Sequence, residues 1–210
     1  MRRIACSLVC VFCLATLTSC VGSDQPISDV NTAEQDAKLV GVWVQVEESE
    51  TNYLHIAGEG IAAKGAKKPT PGMMRYVLVE QLASDEGVTI GGAGSGNFFV
   101  CKLGDNHYAS LYPMDQPPPE PGDVPGFWLM KYKVDRDTLK IWMLGTRELA
   151  KVVESGALAG TVSKPAPLQF FHIPQVRLTA TSEELAAFFK TQAGDKLFGA
   201  EPAMDYRRLR

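Results

Sequence analysis

The sequence predicts a mainly β protein, its strands antiparallel and joined by short turns, with two short helices flanking them. Three observations predict it. Short runs alternate apolar and polar residues, as in Met130, Tyr132 and Val134 against Lys131 and Lys133. Polar turn clusters separate the runs, as at Asp135-Arg136-Asp137. Helical spacing of apolar residues occurs in two stretches, 146–155 and 181–193.

In chain order, residues 39–46 set Val42, Val44 and Val46 against Gly41, Trp43 and Gln45. Residues 76–79 are apolar and β-branched, and a turn at Asp85-Glu86-Gly87 leads into 88–90. The glycine cluster at 91–96 reads as a flexible loop between strands. Residues 98–103 and 107–112 flank Gly104-Asp105-Asn106 as a hairpin. A second hairpin joins 127–134 to 139–144. The first helix carries Leu149, Val152 and Val153 at i, i+3, i+4 and stops at Gly156. Residues 169–173 and 176–180 read as short strands. The second helix opens on a Thr181/Glu184 capping box, carries Leu185, Phe188 and Phe189, and has Gly194 in a C-cap position. Residues 204–209 are a candidate closing strand.

At 210 residues, 45% hydrophobic and 21% charged, the chain has the composition of one globular domain. A formal charge of −3 argues against a generally basic nucleic-acid binder. Arg2 and Arg3 precede an uncharged run of 14 residues, 4–17. That is too short for the roughly 20 apolar residues of a membrane span, and it has the form of a signal peptide.

The run ends in Leu17-Thr18-Ser19-Cys20, which resembles the lipobox of bacterial lipoproteins. The resemblance implies diacylglycerol on Cys20, cleavage before it and often a third acyl chain such as palmitate on the new terminus. The chain then divides into a signal peptide (1–19), a polar flexible tether (20–36) and a single β-rich domain (37–210). Two or three acyl chains hold a domain on a bilayer stably. Val21 stands where an Asp would mark inner-membrane retention, so the resemblance points to export and to the outer membrane of a two-membrane organism. Loss of Arg2 and Arg3 takes the formal charge from −3 to −5, so lipid rather than charge would hold the protein there.

Gly41-Val42-Trp43 resembles the Gly-x-Trp start of lipocalins, and Arg207-Arg208 near the C-terminus is similar to their basic residue packed on that tryptophan. The resemblance implies an antiparallel β-barrel or half-barrel, lipocalin-like, of eight strands, with room for one small ligand. The helix at 146–155 and the lack of disulfide cysteines depart from that family. Candidate ligand-binding residues are Tyr76, Leu78, Phe98, Val100, Tyr108, Leu111, Met130 and Trp142. The alternative is a barrel filled by its own side chains.

Signals for chemistry are weak. His55, His107 and His172 stand more than fifty residues apart and form no metal-binding spacing. The glycine cluster lacks the frame of GxGxxG or of a P-loop, and Ser95 lacks that of a nucleophile elbow. Carboxylates cluster at 47–50, at 135–137 and at 183–184, which read as a strand end, a turn and a helix start. Cys101 has no partner once the leader is removed and reads as a small buried hydrophobe. The expectation is therefore a non-enzymatic binding module without cofactor or metal, taking a small apolar or amphipathic ligand. The alternative is a protein-interaction or envelope-maintenance module working through the Lys-rich loop at 57–72 and the Pro-rich loop at 113–126, whose Pro118–Pro121 spacing suits polyproline II.

Overall fold

The computed structural model describes residues 21–28, 33–47, 50–58, 71–84, 87–113, 126–163 and 174–210. The leader 1–19, Cys20, His172, the strand expected at 169–173 and most of the two long loops lie outside the described residues.

Eight antiparallel strands close into a barrel: β2 (Gly41–Val46), β3 (Glu50–Ala57), β4 (Met74–Ser84), β5 (Gly87–Leu103), β6 (Asn106–Pro113), β7 (Trp128–Asp135), β8 (Thr138–Met143) and β11 (Met204–Arg208). Consecutive strands pair as hairpins. The last strand, β11, bonds to β8 on one side and to β2 on the other, which closes the ring. Tight turns set the registers. Gly104, at φ +63°, turns β5 into β6, and Arg136, at φ +52°, turns β7 into β8.

Alternation then decides what faces inward. On β2 the inner position is Trp43, and the register puts Leu54 of β3 and Leu78 of β4 on the same face. Phe98, Leu111 and Trp128 follow on β5, β6 and β7, with Met143, Ile141 and Leu139 on β8 and Met204 and Tyr206 on β11. The inner residues form one buried cluster around Leu39, Trp43, Met74 and Leu139. Residues 33–40 cover one end, tied by a bridge from Glu34 to Val100 and by the Trp43 indole N–H donating to the Leu39 carbonyl at 2.8 Å. The other end is open among the described residues; the last residues of β2, β4, β6 and β8 and the first of β3, β5, β7 and β11 stand there.

The β8–β11 connection builds a second core on the outer face of β6–β8. It holds α1 (Thr146–Glu154), β9 (Gly160–Ser163), β10 (Gln175–Leu178), α2 (Ser182–Phe189) and α3 (Gln192–Asp195). Tyr108, Phe189 and Phe198 meet there with centroids 5.4–5.8 Å apart, a separation at which tilted rings attract. Lys131 pins this layer to the barrel. Its ammonium lies 2.9 Å from Asp195 and over the rings of Trp142 and Phe198.

Four sequence expectations need correction. Residues 21–28, expected within the tether, belong to the fold. β1 (Val21–Ser23) pairs in parallel with β10 and bridges Phe127, and Val21 and, beyond the strand, Ile27 are buried in the second core. The glycine cluster is the middle of the 17-residue strand β5, not a loop. The helix expected at 181–193 is two helices, giving three in all among the described residues. The Thr181/Glu184 capping box starts α2, and the Thr191 hydroxyl caps α3 by accepting from the Gly194 N–H. Gly194 is therefore no C-cap. A Cβ there would stand 2.4 Å from the Phe188 carbonyl oxygen, so its role is to let α3 approach α2. Among the described residues no helix is long and apolar enough to cross a membrane.

Candidate ligand-binding cavity

A cavity of about 230 Å³ runs up the barrel from Leu39 at the closed end to Trp128, Met143 and Met204 near the open one. Its wall is almost wholly apolar, because every strand that contributes turns its apolar parity inward. A separate depression between Val42, His55, Val77 and Ser95 lies on the outer face of the strands.

Five residues proposed from sequence line the cavity together: Tyr76, Leu78, Phe98, Leu111 and Met130. Val100 also points inward but lies below the cavity, in the core beside the closed end. Tyr108 and Trp142 are corrected. Both face outward into the second core, where the Tyr108 hydroxyl donates to the Phe189 carbonyl at 3.2 Å and Trp142 carries Lys131 on its ring. The reason is parity. Tyr108 and Leu111 are three residues apart and cannot share a strand face. The Met130–Met143 pairing turns the odd-numbered residues of β8 inward.

The wall also contains Leu54, Ile56, Ala109, Trp128, Tyr132, Leu139, Ile141, Met143, Met204 and Tyr206, which the sequence reading did not name. Trp128 and Tyr132 were available from the same alternation that singled out Met130.

Three glycines stand on the inner face of β5. Register turns Gly92, Gly94 and Gly96 of β5 inward, opposite Glu80, Leu78 and Tyr76 of β4. A Cβ on Gly96 would strike the Tyr76 ring at 2.7 Å, so this glycine lets Tyr76 lie across the strand. A Cβ on Gly94 would meet nothing within 4 Å. The cluster that looked like a loop is a smooth inner track beside the cavity.

Two tyrosines bring polar atoms to this wall. The Tyr132 hydroxyl donates to Asp36 at 3.1 Å at the closed end, and burial together with that carboxylate pushes its pKa up. The Tyr206 hydroxyl faces the open end and donates to the Met204 sulfur at 3.7 Å. Burial, helped by Glu50 and Glu47, raises Tyr206 to about 12. The rim above is acidic. Gln45 donates to Glu47 at 2.9 Å, Asn52 donates to Glu50, and Glu80 has its pKa raised by desolvation and by Glu50.

Cys101 faces away from the cavity, and burial raises its thiol to about 12. Among the described residues no three His, Cys, Asp or Glu side chains converge to hold a metal. Comparison of the chain with protein-family models, with curated proteins and with solved structures finds no match.

Proposed function

We propose that this chain is a lipid-anchored envelope protein whose barrel carries one small apolar or amphipathic ligand without transforming it. The observation that carries the ligand reading is the apolar cavity of about 230 Å³ inside a closed barrel. An apolar cavity of about 150 Å³ accepts benzene, and drug-sized ligands need upward of about 300 Å³. The fit is therefore a molecule of roughly ten non-hydrogen atoms, or a short alkyl segment of a longer one. Burial at about 0.8 kcal/mol per CH₂ gives an eight-carbon chain a Kd on the order of tens to hundreds of micromolar.

The anchor reading rests on Leu17-Thr18-Ser19-Cys20 after its charged and apolar leader. Cys20→Ser is expected to leave an unprocessed, unlipidated precursor; normal processing and membrane retention of that variant contradict the anchor. For the ligand, the protein is taken from its native membranes into native mass spectrometry. A co-purifying small molecule of reproducible mass is expected. A clean apo mass that stays unshifted on adding octan-1-ol contradicts carriage. It favours the second reading, a protein-docking module, for which Val46, Val88 and Ile90 stand about 70% exposed at the open end.

A further inference from the structure

Within the ligand-carrying role proposed above, on which this rests, we infer that the cavity takes an amphipathic cation: a small apolar body bearing an ammonium group that comes to rest at the open rim. The first observation is Tyr206. The residue is 97% buried and lines the cavity, and its hydroxyl donates to the Met204 sulfur. Among the described residues nothing donates to its oxygen, and a phenol oxygen has lone pairs to offer. That oxygen can accept from a ligand N–H.

The second observation is the charge of the rim. By register, Glu47 and Glu50 stand at the end of β2 and the start of β3, level with Met204 across the β11 seam. Glu80 follows on the inner face of β4, opposite Asn52 of β3. Among the described residues none of the three is paired with Lys, Arg or His. Asn52 and Gln45 donate hydrogen bonds to Glu50 and Glu47 but bring no charge.

The third is continuity. Gly94 leaves open space beside Leu78, and Gly92 sits opposite Glu80, so one molecule can lie along the glycine track with its body on the apolar wall and its head at the carboxylates. An anion in the same pose would set its charge among three carboxylates, where like charges repel. A neutral head gains at most a hydrogen bond from them, without the charge attraction. An ammonium donates to both carboxylate and phenol oxygen and has no lone pair of its own to satisfy.

The test compares three probes that share one tail. Octylammonium, octan-1-ol and octanoate are titrated calorimetrically at pH 7 and low ionic strength into the protein held in phosphatidylcholine nanodiscs, with empty nanodiscs subtracted. Octylammonium is expected to bind at least tenfold tighter than either of the others. In the Glu50→Gln/Glu80→Gln double variant that preference is expected to fall below threefold while octan-1-ol binds as before, which also reports that the cavity is intact. Tyr206→Phe, which keeps the ring, is expected to weaken octylammonium severalfold. Octan-1-ol or octanoate binding as tightly as octylammonium, or a preference that survives in the double variant, overturns the inference and leaves carriage standing. Failure of all three probes to bind overturns carriage itself, and the inference with it.

Discussion

The guanidinium of Arg208 lies 4.1 Å from the centroid of the Trp43 ring, across the seam where the last barrel strand meets the first. Trp43 is fully buried, and Arg208 also donates to the Val40 carbonyl at 2.7 Å. Two residue pairs, Arg207–Val44 and Arg208–Trp43, join β11 to β2, and Leu209 extends the ladder by donating its N–H to the Val42 carbonyl at 2.8 Å. The stacked cation thus reinforces the shortest pairing in the ring, and the indole N–H holds the closed-end segment through Leu39.

Trp43→Ala is expected to cost about 3–5 kcal/mol, the usual loss for a large buried aromatic. Arg208→Ala is expected to cost about 1–2 kcal/mol, combining a cation–π contact with hydrogen bonds to carbonyls. Urea denaturation of both single variants and the double one measures this. The two losses should be less than additive; strict additivity would mean that the stack contributes nothing.

Gly94→Leu should fill the cavity without disturbing the barrel. The position has open space for a Cβ and lies in a strand whose other wall is apolar. Octan-1-ol affinity is expected to fall at least tenfold while the melting temperature holds or rises. Undiminished octan-1-ol binding would place the ligand elsewhere.

Asp195→Ala removes the partner of Lys131, whose side chain is 14% exposed beneath Trp142 and Phe198, and it also strips a bond from Asn106. The Asp195 side chain is itself 40% exposed, so the loss is expected at about 1–2 kcal/mol rather than the 3–5 of a fully buried pair. Thermal denaturation should register it, with probe binding in the cavity unchanged. Lys131→Met should restore much of the loss, since it withdraws the unpaired charge.

Alkaline pH should unfold the protein through its buried phenols. Burial raises Tyr108 and Tyr206 to about 12, and it raises Tyr132 too. Unfolded tyrosines ionise near 10, so above that pH the unfolded chain binds fewer protons than the native one. This contribution to stability is complete below pH 10 and is lost as pH climbs toward 12. Absorbance at 295 nm should show three of the six tyrosines silent up to pH 11, then titrating as the fold is lost. Smooth titration of all six near pH 10 would contradict their burial.

Much of the barrel was legible because it rests on period-two patterning. β2, β6, β7, β8 and β11 follow runs whose apolar parity shows in the sequence. β3 did not stand out, because its inner positions at the rim are Glu50 and Asn52, and polar residues on the buried parity erase the alternation. β5 reads as two pieces because glycine reads as a turn; its inner glycines are held by continuous pairing with β4, and Gly96 by β6 as well. β1 owes its form to a parallel pairing 155 residues away, Val21 with Val176, which no local pattern announces. The cavity wall was legible only in part for a related reason. Residue type suggested Tyr108 and Trp142, but register decides the face, and register is a property of the closed ring.

The central claim is that the barrel interior is a ligand site, and methionine methyl NMR tests it most directly. Met130, Met143 and Met204 line the cavity, while Met74 is buried in the core nearer the closed end. With the protein in nanodiscs and its methionine methyls labelled with ¹³C, octan-1-ol is titrated to about 1 mM. Saturable shifts of the Met130, Met143 and Met204 resonances, with one shared Kd and far smaller changes elsewhere, are the predicted result. Shifts that are absent, unsaturable or equal across all the methionines would contradict it.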